Sequence, residues 1–285
     1  MLDNFQPGIL YLVGTPIGNL EDITLRAIRI LKEADLIAAE DTRRTGKLLQ
    51  HLQISTPLIS YYEHNHNSRI SDLVARIYRG ENVALVSDAG MPSISDPGYK
   101  LVRAAIDAKI EIVPIPGGTA AIGALAVSGL PTDRFMFEGF LPVKSQQRQA
   151  YLGELQHETR TLIFYEAPHR LLAMLKDLQV VLGNRDIVLA RELTKIHEKI
   201  WRGSITGAIA LYSEERQPKG EYTLVVSGAK ENKLLVMGEV ELKQELQQLL
   251  RQGMTRSQAS RHLAEETTFS RRELYRLSLE IEDVV

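Results

Sequence analysis

The chain has 285 residues, enough for two domains of ordinary size. Hydrophobic residues make up 44% and charged residues 25%, which excludes a disordered or fibrous chain. The absence of cysteine excludes a disulfide framework, a thiolate nucleophile and cysteine-ligated metal, and the net charge of −2 confines any nucleic-acid binding to local patches. No apolar run approaches the roughly 18 residues of a membrane span. Met1 to Pro7 lacks the basic region and apolar stretch of a signal peptide, so a cytoplasmic protein is expected.

Ile9-Leu10-Tyr11-Leu12-Val13 is continuously apolar, the mark of a strand buried on both faces. Ile23, Ala27, Ile30, Leu31 and Ala34 then recur on one face of a helix. Leu36 to Ala39 predicts a strand, Thr42 to His51 a helix and Pro57 to Tyr61 a strand. Ile70 to Tyr78 carries a helical stripe. Strands are expected at Val83 to Val86 and Ile110 to Val113, with a helix over Tyr99 to Asp107 between them and a small-residue helix over Gly118 to Val127 after them. This alternation argues a parallel sheet covered on both sides.

Ser128-Gly129-Leu130-Pro131-Thr132 breaks the pattern. A second α/β half follows, with strands at Phe135 to Gly139, Thr161 to Tyr165, Ile187 to Arg191, Glu198 to Arg202 and Tyr222 to Ser227. Helices are expected over Gln146 to His157, His169 to Leu182 and Thr206 to Ser213. Short connections around the last three strands predict antiparallel pairing there. Beyond a linker from Ala229 to Gly238, Leu242, Leu246, Leu249 and Leu250 mark an amphipathic helix that stops at Gly253. Thr255 caps a second helix, and Ser270, with Glu273, a third. The expected organisation is an N-terminal parallel α/β domain (1–129), a mixed-sheet α/β domain (130–230) and a helix-turn-helix-like module (239–285). Six arginines against three glutamates between Arg251 and Arg276 make that module locally basic.

Open parallel sheets bind ligands beyond the carboxyl ends of their strands. Three loops fall there. Gly14-Thr15-Pro16-Ile17-Gly18-Asn19 follows the first strand; it is neither a dinucleotide fingerprint nor a P-loop, and reads as a ligand loop or a plain strand–helix turn. Ser87 to Gly98 is longer than the usual ~2–6 residues of such a connection and rich in polar groups, which favours a ligand-contacting loop. Pro116-Gly117-Gly118-Thr119-Ala120-Ala121 brings a helix N-terminus close to a bound group, or is a tight turn into the helix.

These loops, together with Ala39-Glu40-Asp41-Thr42-Arg43, Leu162-Ile163-Phe164-Tyr165-Glu166 and Ala190-Arg191-Glu192-Leu193-Thr194-Lys195, resemble the tetrapyrrole-methylase superfamily, in its ribosomal-RNA-methylating branch. The resemblance runs from about Ile9 to Gly228. It implies two α/β domains with S-adenosylmethionine in the cleft between them, a homodimer, and methyl transfer to the 2′-hydroxyl of a cytidine in the decoding region of small-subunit rRNA. It places Pro16 in the floor of the cofactor pocket, Asp88, Ala89 and Gly90 along the methionine part with Ile94 nearby, and Thr119 and Ala120 by the adenosyl part. Tyr165 and Glu166 close on the adenine side, with Arg191, Glu192, Tyr222 and Thr223 near it.

The ribose hydroxyl must lose a proton, and Glu40, Asp41 with Arg43 beside it, and Glu166 are the candidate catalytic groups. Glu40 to Arg43 also reads as a helix start whose acids complement the helix dipole. RNA phosphate would meet Arg43, Arg44 and Lys47, Lys144 with Arg148, Arg170, and Arg256, Arg261, Arg271, Arg272 and Arg276. His64 and Asn65 are expected to touch the substrate rather than a metal, since a third ligand is missing nearby. Two other functions remain open: methylation of a tetrapyrrole or other small molecule, and a non-catalytic RNA-binding or ribosome-assembly factor.

Overall fold

The computed structural model describes residues 6–62, 66–214, 218–230 and 237–281. It divides into two compact units, 1–229 and 230–285.

The first unit contains two five-stranded sheets. The first is built from β1 (Ile9–Val13), β2 (Leu36–Ala39), β3 (Leu58–Ser60), β4 (Val83–Val86) and β5 (Glu111–Ile115), in the order β3-β2-β4-β1-β5. All of its pairings are parallel. Alternate strand residues face opposite ways. Ile37, Ala39, Ala84 and Val86 therefore pack with Ala27, Ile30 and Leu31 of α1 (Leu25–Glu33) and Leu49 of α2 (Thr42–His51). Leu36, Ala38, Val83 and Leu85 pack on the other face with Leu73 and Ile77 of α3 (His66–Tyr78) and Leu101 and Ala105 of α4 (Tyr99–Asp107).

The second sheet comprises β6 (Phe135–Phe140), β7 (Thr161–Glu166), β8 (Asp186–Arg191), β9 (Lys199–Ser204) and β10 (Tyr222–Val226), in the order β6-β7-β10-β8-β9. β6 runs parallel to β7 and the remaining pairs are antiparallel, although only β8 and β9 are joined by a short connection. One face packs on α6 (Ser145–Glu154), α7 (Leu171–Leu182) and α8 (Ile205–Glu214) through Leu152, Leu175, Ala208, Phe164 and Leu224. The other face, with Ile163, Val188, Ala190 and Val225, receives Ala121, Ala124 and Leu125 of α5 (Ala120–Ser128). α5 thus follows the last strand of the first sheet yet packs on the second. The break at 128–132 lies just after this bridging helix, so the two sheets share one compact unit.

The second unit holds α9 (Glu239–Arg251), α10 (Arg256–Glu266) and α11 (Arg271–Leu279) around Leu242, Leu246, Ala259, Leu263 and Leu274. Thr255 with Gln258, and Ser270 with Glu273, form reciprocal capping boxes at the starts of α10 and α11. Among the described residues no helix is long and apolar enough to cross a membrane.

Candidate functional site

In the first sheet β1 and β4 are neighbours, but the chain leaves them in opposite directions, towards β2 and β5. That reversal opens a crevice at their carboxyl ends. The loops that follow are tied together there: Thr15 and Gly90 exchange backbone hydrogen bonds of 2.9 and 3.1 Å, and the Thr15 hydroxyl donates to the Ser87 carbonyl at 3.1 Å. The β5 loop closes against the β1 loop at two glycines; a Cβ on Gly14 would meet the Gly117 backbone at 2.7 Å.

A cavity of about 550 Å³ lies over this crevice, within the range typical of small-molecule sites. Asp88, Ala89, Gly90, Ile94, Thr119 and Ala120 line it from the first half, and Tyr165, Glu166, Glu192, Tyr222 and Thr223 from the second. The two other residues expected in the cofactor pocket, Pro16 and Arg191, are not among the lining groups, but their chain neighbours Ile17 and Ala190 are. The Arg191 Nε is buried without a hydrogen-bond partner.

Parallel register sets Ala39 of β2 opposite Val86 of β4, which brings the residues that follow together. The Asp88 N–H donates to Glu40 Oε2 at 3.2 Å, and the Asp41 N–H to Asp88 Oδ1 at 3.1 Å. Arg44 Nη1 lies 3.1 Å from Asp88 Oδ2. Asp96 completes this corner. Burial, then the charge of Glu40, pushes its carboxyl up to about 6, against a hydrogen bond from Ser87. Burial also raises Glu40.

Asp41 and Arg43 sit outside the cavity lining. The Asp41 carboxylate caps α2, accepting the Arg43 N–H at 2.8 Å, and receives the Arg43 guanidinium at 3.0 and 2.7 Å. These contacts hold its carboxyl well below the usual carboxylate range. Glu166 is different. It is 1% exposed, its Oε1 accepts the Ala167 N–H at 2.8 Å, and Arg170 Nε lies 3.1 Å from that oxygen. Burial nonetheless raises its pKa, and Oε2 has no hydrogen-bond partner.

On the remaining wall Lys195 Nζ is shared at 2.8 Å each by Glu192 and Glu221. Glu192 and Thr194 hold positive φ of 52° and 65°, a strained backbone of the kind that collects at ligand sites.

The expected RNA contacts divide. Lys144, Arg271 and Arg272 are exposed, and Arg44 lines the cavity. Arg170 is committed to Glu166 and to the Leu141 carbonyl at 2.7 Å. Arg148, read as part of a basic patch, is 3% exposed and paired with Asp177 at 2.5 Å, so it holds the fold instead of facing solvent. Arg256 donates to the Ile281 carbonyl at 2.9 Å within the helical unit. His64 and Asn65 lie outside the described residues.

The sequence reading missed Met91, Asp96, Phe140 and Leu193 as lining residues. One available signal was a glycine inside a strand: Gly139 has φ +60° at a register shift in β6, and Phe140 follows it into the cavity wall.

A methyl donor of nucleoside size fits these residues on one observation above all: Glu166 belongs to the cavity lining, and its buried Oε2 has no hydrogen-bond partner within the chain.

Residues 9–208 match the family of tetrapyrrole (corrin/porphyrin) methylases. Ribosomal RNA small subunit methyltransferase I of Synechocystis sp. is 59% identical, over 96% of this chain and 99% of its own. Its namesakes in Halalkalibacterium halodurans and Escherichia coli O157:H7 are 54% and 53% identical, over 78% and 80% of this chain and 76% and 80% of theirs. Uroporphyrin-III-C-methyltransferase from Thermus thermophilus shares the fold at a TM-score of 0.55 and 23% identity, covering 77% of this chain and 94% of that one. The methyltransferase CobJ does so at a TM-score of 0.57 and 19% identity, covering 79% and 95%. The chain belongs to the tetrapyrrole methylase family and, within it, to the branch of ribosomal RNA small subunit methyltransferase I.

Proposed function

We propose that the protein is a cytoplasmic, S-adenosylmethionine-dependent methyltransferase that acts on the ribose 2′-oxygen of a cytidine in the decoding region of small-subunit rRNA, working as a homodimer. The observation that carries this reading is the acid-lined cavity with its unpartnered Glu166 oxygen, in a chain 59% identical to a ribosomal RNA small subunit methyltransferase.

When bound, S-adenosylmethionine supplies a methyl group already activated by its sulfonium. The chain's task is to hold and to orient. Asp88, Ala89, Gly90 and Ile94 bind one end of the donor, and Thr119 and Ala120, at the start of α5, bind the other. Tyr165, Tyr222 and Thr223 would exclude water from it, with Glu166 in the same wall. Pro16 and Arg191 adjoin this wall through their chain neighbours Ile17 and Ala190. Asp41 and Arg43 orient the RNA, with Arg44, Lys144, Arg271 and Arg272 meeting phosphate. Such alignment is worth roughly 7–11 kcal/mol, more than the ~10²–10⁴-fold of a general base. Burial leaves Glu166 and Glu40 readier to hold a proton than Asp41, which Arg43 keeps ionised.

The test is methyl transfer to small subunits from a strain lacking this activity, with the product located by mass spectrometry of digested rRNA. Methyl on a cytidine ribose supports the reading. Methyl on a base overturns the 2′-oxygen. Turnover of a porphyrinoid, or cofactor-free RNA binding alone, overturns the substrate or the catalysis.

A further inference from the structure

The cavity is more acidic than methyl transfer requires. Glu40, Asp88, Asp96, Glu166, Glu192 and Glu221 line it, against Arg44 and Lys195. Both cations already face other carboxylates: Arg44 lies 3.1 Å from Asp88, and Lys195 lies 2.8 Å from Glu192 and from Glu221. Glu166 has Arg170. Among the described residues no direct ion pair remains for Glu40 or Asp96, while the Ser87 hydroxyl donates to the Ala89 carbonyl at 3.4 Å. The loop carrying Asp96 turns back into the cavity through Ser93 and Ser95, at φ of 74° and 60°.

We propose that Glu40 and Asp96 are the charge-selective wall of the donor site, favouring a sulfonium donor over the uncharged thioether left after transfer. This rests on the reading of the cavity as a methyl-donor site, whose independent mark is the buried, unpartnered oxygen of Glu166. The donor carries one positive charge more than its product. Two carboxylates without direct ion pairs, of which Glu40 feels Arg44 only at longer range, attract the sulfonium in a partly desolvated pocket, and the thioether of the product offers them no such charge. Methyl transfer therefore removes the interaction that held the ligand.

The selection is coupled to a proton. Asp96 is faced by Glu40 from the end of β2, by Asp88 with Arg44, and by the Tyr165 hydroxyl from β7. The Glu166–Arg170 pair with His169, and the Lys195 cluster, complete the lining. Since burial and Glu40 lift Asp96 to about 6, a cation beside it lowers that value again. Donor binding near that pH expels a proton, and product binding does not. Donor affinity is greatest above about pH 6 and falls as the pH drops through it.

Calorimetry of the full chain with S-adenosylmethionine and with S-adenosylhomocysteine, each in two buffers of different ionisation enthalpy, tests this. We expect proton release near pH 6 with the donor alone, and a preference for donor over product that grows about tenfold between roughly pH 5 and 7. Asp96→Asn loses the proton release and flattens the preference, and Asp96→Glu restores both. Equal proton release by both ligands, or a preference that still varies with pH when Asp96→Asn is combined with Glu40→Gln, overturns the charge wall while leaving the donor site intact. Binding of neither ligand overturns the donor site and the charge wall together. The wild-type buffer comparison decides the matter even where a variant fails to fold.

Discussion

The hydroxyl of Tyr165 accepts a hydrogen bond from the backbone N–H of Ala121 at 3.2 Å. Tyr165 stands near the end of β7 in the second sheet, and Ala121 in the first turn of the helix that leaves the first sheet. The bond satisfies one of the N–H groups that every helix start leaves open. The rings of Phe137 and Phe140 meet Tyr165 edge-on at 5.0 and 5.6 Å, so one side chain fixes both the junction of the halves and a cavity wall.

Tyr165→Phe keeps those ring contacts and removes only the bond. About 1 kcal/mol should be lost, a fall in Tm of roughly 2–4 °C for a unit of this size. Donor affinity should fall several-fold with it, because α5 carries Thr119 and Ala120 into the cavity. Scanning fluorimetry and calorimetry measure both, and an unchanged Tm would show that the bond contributes nothing.

Arg148 tests the fold apart from the chemistry. Its guanidinium binds Asp177 and donates to the Pro142 and Val143 carbonyls at 3.1 and 3.0 Å. Arg148→Met leaves the Asp177 charge buried with Ser145 and Gln149 as its remaining donors. Breaking such a pair costs about 3–5 kcal/mol, readable in urea unfolding. Adding Asp177→Leu should return part of that loss. No recovery in the double variant would mean that the carbonyl bonds, rather than the charge pair, carry the stability.

Arg148 also marks where the sequence stops being informative. Periodicity and caps are local, so β1, β2, β4 and α2 are legible residue by residue, as are Thr255 and Ser270 as helix caps. A charged residue near another charged residue looks like surface until the partner is known, and Asp177 lies too far along the chain to be seen. The same limit separates Asp41 from Asp96. Asp41 announces itself as a cap before a helix. Asp96 enters the cavity because Ser93 and Ser95 adopt left-handed backbone, which leaves no pattern in composition. The loop from Ser87 to Gly98 stands out by its length and polarity, and the structure lines the cavity with it; the residue within it carrying the raised carboxyl does not stand out. The packing of α5 on the second sheet was equally hidden, because its small apolar residues suit either sheet.

Asp41 separates orientation from proton transfer. Asn also caps a helix well, so Asp41→Asn should leave Tm nearly unchanged. Because Arg43 already holds this carboxylate far below the usual range, the charge is a poor proton acceptor. Loss should appear mainly as a raised KM for RNA, with kcat lowered less than about tenfold. A kcat collapse of ~10²-fold or more, with KM for RNA little changed, would make Asp41 the base.

The helical unit offers a test of RNA contact. Arg272 is exposed, whereas Arg271 donates to the Ser257 hydroxyl at 2.9 Å. If Arg272 meets phosphate, Arg272→Ala should weaken RNA binding evenly across sequences. It should also make the slope of log affinity against log salt shallower by about 0.7–0.9. Filter binding across a salt series measures it, and an unchanged slope would remove Arg272 from the interface.

Asp96 bears on stability with a defined sign. Its carboxyl rises from 3.8 to about 6 on folding, so its stabilising share is fully present below the lower value and is lost as the pH climbs through the upper one. At neutral pH the folded chain therefore holds an ionised carboxylate it would be more stable without. Asp96→Asn should melt above the wild type at roughly pH 7.5, the gap closing towards about pH 4. Paired melting curves across that interval read it directly. A gap that is absent or reversed at neutral pH would mean the carboxylate is solvated and the cavity corner is wetter than its neighbours imply. A stabilising substitution that costs donor selectivity is the pattern expected of a residue kept for its ligand rather than for the fold.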